Sequence, residues 1–171
     1  MANDPQYVIE MLHITKEFPG IKANDDITLQ LRKGEILGVG GLVGAQRTEL
    51  MEGIFGTRSH TAGKITFHGK ELKINRPKDA IDQGVAMLTE DRRQSGIMGV
   101  LSIADNISIA SLKKYVDGGI MLNSKKIEQL VQDNVQKMNI KTPSSKTLIQ
   151  SLSGGNQQKV LIGRWLANDP E

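Results

Sequence analysis

The sequence predicts an α/β fold with a mostly parallel core sheet, an antiparallel β region near the N-terminus and a helical region beyond it. Two short apolar runs, at residues 36–39 and 85–88, are typical of strands buried on both faces. The alternation of Ile27, Leu29 and Leu31 with polar neighbours predicts an antiparallel strand with one wet face. Apolar positions at helical spacing after Ser102 predict the helical region.

Composition narrows the class of protein. The 171 residues have 22 basic and 19 acidic side chains scattered along the chain, for a net charge of +3. This distribution argues against a disordered chain and against a positive field strong enough to attract nucleic acid. The chain has no cysteine, so disulfides, thiolate zinc sites and a cysteine nucleophile are excluded. No run reaches the ~20 apolar residues of a membrane span, and the first residues lack the pattern of a signal peptide. We therefore expect a soluble, cytosolic protein.

The remaining elements follow from local patterns. Ile65 and Phe67 alternate with polar residues between two glycines, which predicts another short strand. Ser124 is the predicted N-cap of a long amphipathic helix. The predicted helices cover residues 48–55 (ended by Gly56), 78–83 (ended by Gly84), 102–115, 124–138 and 156–166.

The first candidate for a functional segment is the glycine-rich loop, residues 41–48, with the sequence Gly-Leu-Val-Gly-Ala-Gln-Arg-Thr. It lies between a predicted buried strand and a helix, the context in which backbone N–H groups and a helix N-terminus bind phosphate. The strict pattern is G-x-x-x-x-G-K-[ST], but Gln46 replaces the second glycine and Arg47 replaces the lysine. The Cβ of Gln46 disfavours a positive φ. This segment alone fits a phosphate loop and an ordinary glycine-rich turn equally well.

The second is the signature segment, residues 152–160, Leu-Ser-Gly-Gly-Asn-Gln-Gln-Lys-Val. A serine hydroxyl, two successive glycine N–H groups and a helix N-terminus form a surface that receives an anion. The alternative is a capped helix that follows a glycine turn. Two such surfaces in one domain suggest that they share one polyphosphate.

A third segment, Thr-Glu-Asp-Arg-Arg at residues 89–93, follows the second apolar run at the expected rim of the sheet. Glu90 is suited to a divalent cation or a water there, although a solvated loop is the better interpretation from these residues alone. Phe18 is suited to stacking on a base or to core packing. His13, His60 and His68 have no metal-binding spacing, so structural or surface roles are expected for them.

The signature segment resembles that of ATP-binding cassette (ABC) ATPases, in the form found in importers of ribose, galactose, xylose and related compounds. Those proteins carry two cassettes in one chain, and residues 41–49, 89–93 and 141–143 are similar to the second. An arginine at the position of Arg47 is usual there, whereas Gln46 is not. The resemblance implies a P-loop NTPase fold in one partial nucleotide-binding domain, with residues 1–90 as P-loop core and β subdomain and 91–165 as the helical subdomain.

The ends of the chain resemble the family differently. Residues 8–25 are more similar to a first cassette, and the two resemblances meet near residues 33–36, so we expect a mosaic that recombination, engineering or an unusual natural gene would explain equally well. In the family, the string like residues 165–171 is followed by an apolar strand ending in Asp-Glu and by the switch histidine. This sequence contains neither. We therefore expect an incomplete cassette, without the catalytic glutamate, that does not hydrolyse ATP alone.

The resemblance also implies the site and its partners. Phosphate binding is carried by the loop, metal binding by Thr48 and Glu90, adenine stacking by Phe18, and recognition of the γ-phosphate of an opposing cassette by the signature. The implied nucleotide-binding residues are Phe18, Gly41, Gly44, Ala45, Gln46, Arg47, Thr48, Glu49, Ser153, Gly154, Gly155, Asn156 and Gln157. The implied cofactors are ATP and Mg²⁺, and the implied partners are a second cassette and a membrane permease that faces residues 92–106 at the inner face of the cell membrane. No nucleic acid is expected.

Two other functions are compatible with the sequence. One is a non-catalytic assembly module that completes the site of a partner cassette. The other is a DNA-repair ATPase, because such proteins also carry a Leu-Ser-Gly-Gly signature, but the scattered charge and the Gln-Gln-Lys continuation argue against it.

Overall fold

A computed structural model of the protein describes residues 7–42, 44–59 and 62–170, except for the side chains of Phe18 and Ala23. The chain forms two compact units, Met1–Gln83 and Gly84–Glu171. The domain boundary expected from sequence, after residue 90, falls inside the second of these units.

The first unit is built on a four-stranded antiparallel sheet in the order β2-β1-β3-β4. The alternating strand predicted around Ile27 and the short strand predicted around Ile65 are both confirmed. The elements of this unit are β1 (Ile9–Phe18), β2 (Ile21–Leu31), α1 (Arg47–Phe55), β3 (Ala62–Phe67), β4 (Lys70–Glu71) and α2 (Pro77–Ile81).

Helix α1 packs its apolar side on this sheet. Leu50 and Ile54 of the helix join Met11, Ile14 and Ile65 of the strands in one buried cluster. The helix ends at Gly56, as predicted, because this glycine adopts the left-handed φ of 82° that terminates helices. The start of α1, where the glycine-rich loop lies, is therefore anchored by the core of the first unit.

The two predicted buried strands, at residues 36–39 and 85–88, are wrong as strands. Both segments lack strand structure, and Ile36 is 98% and Leu88 52% exposed. All strand pairs among the described residues are antiparallel, and none involves either segment. A buried parallel strand requires neighbours that hydrogen-bond to it and layers that cover both faces, and apolar composition supplies neither.

The second unit is mainly helical. The helix predicted at residues 124–138 is confirmed, but its N-cap is Asn123, whose Oδ1 accepts from the N–H of Lys126 at 3.0 Å, and not Ser124. The helix predicted at residues 102–115 is shorter, because a 3₁₀ turn (Leu112–Tyr115) replaces its second half. The elements are a π-helical turn (Arg92–Gly96), α3 (Ile103–Ser108), β5 (Val116–Asp117), β6 (Met121–Leu122), α4 (Ser124–Lys137), a 3₁₀ turn (Ile149–Ser151) and α5 (Gly154–Leu166).

The core of the second unit contains a polar centre as well as apolar side chains. Arg164 is only 7% exposed, and its guanidinium donates to the carbonyls of Asn106 at 2.6 Å and Gly96 at 2.8 Å, and to Asn106 Oδ1 at 2.7 Å. Burial lowers the pKa of Arg164. No carboxylate pairs with it within the described part of the chain. Oxygen acceptors alone therefore replace the water that this cation loses on folding.

No helix in the described ranges is long and apolar enough to cross a membrane.

Candidate functional site

The glycine-rich loop is a tight turn that leads into α1. The N–H of Ala45 donates to the carbonyl of Leu42 at 3.0 Å, and Gly44 has a φ of 87°. Gln46 occupies the N-cap position of α1 with a left-handed φ of 59°. The expected conflict is therefore present, since a residue with a Cβ occupies a conformation that favours glycine.

Gly41 closes the loop by allowing close packing. A Cβ at this position would lie 2.9 Å from the Cβ of Ala45 and 3.3 Å from Cδ of Arg47. The requirement for glycine at residue 41 is thus steric, whereas at Gly44 it comes from the backbone angle.

Arg47 is the first residue of α1 and is exposed, and the described residues provide no acidic partner for it. A cation at the positive end of a helix is unfavourable unless an anion is present. Thr48 and Glu49 follow in the same turn and are half-buried. This helix start therefore combines a cation with a helix N-terminus, an arrangement that suits a phosphate group.

A cavity of about 490 Å³ adjoins this helix start, within the range typical of small-molecule sites. Its lining comprises residues of strand β2, residues 37–40 and the loop residues Ala45, Gln46 and Arg47. The room beside the loop is thus sufficient for a ligand larger than a single phosphate.

The signature segment opens helix α5, which begins at Gly154 after Ser153. The Ser153 side chain does not cap the helix; its Oγ accepts from Asn156 Nδ2 at 3.1 Å. Asn156 Oδ1 in turn accepts from the N–H of Lys141 at 3.1 Å, which joins the signature to residues 141–143. Sequence reasoning missed this contact because it spans fifteen residues with no shared periodicity.

The two signature glycines have different surroundings. A Cβ on Gly154 would lie 2.5 Å from Nη2 of Arg92, whereas a Cβ on Gly155 would meet nothing within 4 Å. Neither glycine has a positive φ. A side chain at residue 154 would therefore displace the Arg92 guanidinium, whereas one at residue 155 would displace nothing in the described structure.

Gln157 faces inward. It is 4% exposed, and its Nε2 donates to the carbonyls of Ile149 at 3.3 Å and Leu152 at 3.1 Å. Its Oε1 accepts from Nε of Arg92 at 3.3 Å. The side chain of this expected nucleotide-binding residue thus ties α5 to the preceding turn.

The segment at residues 89–93 forms a capped turn. Asp91 Oδ1 accepts from the N–H of Arg93 at 2.9 Å and of Gln94 at 3.1 Å. Glu90 is exposed, and it belongs to the second unit whereas Thr48 belongs to the first. Among the described residues there is no group of three or more His, Asp or Glu side chains that would hold a metal by themselves.

Phe18, His60 and His13 are the remaining residues singled out from the sequence. Phe18 ends β1 and its side chain lies outside the described residues, as does His60 altogether. His13 lies at an irregularity of β1, where its Nδ1 contacts Asp26 Oδ1 at 2.6 Å on the exposed surface.

The chain has the fold of an ATP-binding cassette. A nucleotide-free cassette from an ABC transporter superimposes with a TM-score of 0.79 at 19% identity, covering 96% of this chain and 66% of that structure. The ABC transporter family model matches residues 24–171. The chain therefore belongs to the ABC transporter family, and the expected fold class is confirmed at this level.

The similar curated proteins are sugar-import components. The galactose/methyl galactoside import ATP-binding protein MglA of Clostridium tetani is 51% identical over 150 residues, covering 88% of this chain and 30% of that protein. Its counterpart from Mannheimia succiniciproducens is 48% identical over 171 residues, covering 99% and 33%. The chain thus spans about a third of the length of these relatives, and the resemblance to carbohydrate-importer ATPases is confirmed.

Proposed function

We propose that this chain is part of the ATP-binding subunit of a sugar importer. It binds Mg-ATP through the glycine-rich loop and offers the signature segment to the nucleotide of a second cassette. The names of the relatives, which are galactose and methyl galactoside import proteins, support the substrate class. The chain works at the cytoplasmic face of the membrane, beside a permease that contacts residues 92–106.

The observation that carries this proposal is the open space at Gly155. Glycine in a helix costs up to about 1 kcal/mol relative to alanine. Packing within the described structure does not explain a glycine at this position, because a Cβ at residue 155 would have no neighbouring atom within 4 Å. The N–H groups of Gly154 and Gly155 have no acceptor among the described residues. An approaching phosphate from outside the chain explains both features, because it needs free donors and close access.

The glycine-rich loop supports binding of the chain's own nucleotide. Arg47 and the N-terminus of α1 would hold the phosphate groups, and the Thr48 hydroxyl is suited to Mg²⁺, which neutralises phosphate charge when bound. The adjoining cavity leaves room for the rest of the nucleotide.

Calorimetric titration of the chain with Mg-ATP tests the loop. Saturable binding that Arg47→Ala weakens at least tenfold is expected. Arg76→Ala is the matched control, because it removes the same charge from the exposed start of α2 in the same unit, and its affinity should equal that of the native chain. Equal affinities for both variants, or no binding in a folded chain, would remove nucleotide binding from this loop.

A second candidate function is a non-catalytic module that completes a partner's site, and the left-handed Gln46 favours it. ATP affinity would then be weak for the chain alone and would rise on addition of an intact relative cassette. Titration with and without that cassette separates the two candidates.

A further inference from the structure

We propose that Arg92 is a positioning residue for the signature segment, linking the turn at residues 91–97 to the first turn of α5. The proposal rests on the proposed function only for its consequence in trans, since the link itself lies within the second unit. Arg92 was expected only as one end of a permease-facing stretch, and its contact with the signature spans 65 residues of sequence.

The backbone of Arg92 is held in a capped turn. Asp91 caps the turn, and the carbonyl of Arg92 accepts from the N–H of Ile97 at 2.7 Å. The half-buried guanidinium then donates from Nε to Gln157 Oε1 at 3.3 Å. Because Gln157 also donates to Ile149 and Leu152, one side chain joins the turn, the segment before the signature and the helix.

Gly154 is the counterpart of this arrangement. The guanidinium lies where a side chain at residue 154 would project, with Nη2 at 2.5 Å from an ideal Cβ. Since Gly154 has no positive φ, the backbone does not require glycine there. The first signature glycine therefore accommodates Arg92, and the second is left for the partner.

The charge of Arg92 also lies at the positive end of α5. Among the described residues, the Arg92 side chain makes one hydrogen bond, from Nε to Gln157 Oε1. No ion pair within the described ranges neutralises the guanidinium. A cation in this position is unfavourable in the isolated unit and favourable when an anion arrives. Arg92 thus both orients the first turn of α5 and strengthens its attraction for a phosphate.

Amide hydrogen exchange of the whole chain, followed by NMR, tests the link. Arg92→Gln should raise the exchange rates of the Leu152 and Gln157 amides about tenfold, while the amides of α4 keep their native rates. Arg93→Gln removes the same charge from an exposed neighbour in the same turn and should change neither set. Unchanged rates at Leu152 and Gln157, or a uniform rise throughout the second unit, would overturn the proposal.

A second substitution, Gly154→Ala, gives an independent check through the direction in which it changes the exchange rate at Gln157. Alanine at residue 154 should by itself favour helix and slow exchange, but displacement of Arg92 should make Gly154→Ala exchange faster at Gln157. The double variant should then exchange no faster than Arg92→Gln alone, because the two substitutions remove the same contact between Arg92 and the signature segment. Slower exchange in Gly154→Ala, or additive effects in the double variant, would contradict the link.

The consequence in trans is measured separately. With an intact relative cassette and Mg-ATP, Arg92→Gln should weaken ATP-dependent association at least fivefold, and Arg93→Gln should leave it unchanged. If the native chain does not associate, the trans function of the signature fails, while the exchange measurements still decide the role of Arg92.

Discussion

The two units of the chain differ in what fills their interiors. The buried side chains described in the first unit are all apolar, whereas the second unit buries Asn106, Ser108, Ser111, Asn134, Gln157 and Arg164. An apolar interior is specified by shape and pattern, but a polar one also requires each donor and acceptor to be matched. The two candidate sites are therefore positioned by different forces.

The two helix starts follow the same division. At α1, the geometry depends on backbone angles, with left-handed conformations at Gly44 and Gln46. At α5, it depends on side-chain hydrogen bonds that converge from distant segments, through Arg92 and Gln157. Substitutions should therefore act through φ in the first unit and through lost partners in the second.

The largest expected effect is that of Gly63→Ala in the first unit. Gly63 has a φ of 101°, and a Cβ there would lie 2.6 Å from the carbonyl oxygen of His13. Because both backbone strain and a backbone clash result, we expect the free energy of unfolding of the first unit to fall by about 3 kcal/mol or more. Amide exchange of β1 measures this loss. Gly34→Ala, at a φ of 76° with open space, carries only the strain and should cost about 1 kcal/mol. Equal losses would show that the clash is relieved.

Arg164→Met should be the most damaging change in the second unit. It leaves the carbonyls of Asn106 and Gly96 and the Asn106 side chain without their shared donor. We expect the free energy of unfolding to fall by about 3 kcal/mol. Denaturation followed by the fluorescence of Trp165, the one tryptophan in the sequence, reports on this unit. Arg93→Met is the exposed control, and a similar loss there would indicate an effect of charge alone.

Gly155→Ala should separate stability from function. Since the new Cβ would enter open space in a helix, we expect the free energy of unfolding, measured by denaturation, to rise by about 0.5 kcal/mol. The same methyl group should block the phosphate of the partner cassette and abolish ATP-dependent association in trans. A variant that is more stable and still associates would contradict the proposed use of this surface.

The smallest expected effect is that of Gln46→Gly. Glycine relieves the left-handed strain at φ 59° but adds freedom to the unfolded chain, so we expect a net gain of about 0.5 kcal/mol in the first unit. Amide exchange at α1 measures it. Gln30→Gly, in strand β2, is the matched control and should destabilise, because glycine weakens strand interiors.

Much of the local structure was predictable, because it depends on residues close in sequence. The alternation at Ile27 to Leu31 and the stop of α1 at Gly56 are confirmed. Strand β1 was missed, although it is the centre of the antiparallel sheet and pairs with both β2 and β3. The apolar runs at residues 36–39 and 85–88 were misassigned, because hydrophobicity alone does not state which strand will lie alongside.

The family, the position of the two glycine-containing helix starts and the conflict at Gln46 follow from the sequence, since motif spacing and φ preferences are local properties. Three-dimensional packing is needed to place Arg92 beside Gly154, to turn Gln157 inward and to leave Arg164 without a carboxylate partner among the described residues. These contacts join segments about 60 residues apart. Their partners are selected by three-dimensional packing, which no local pattern encodes.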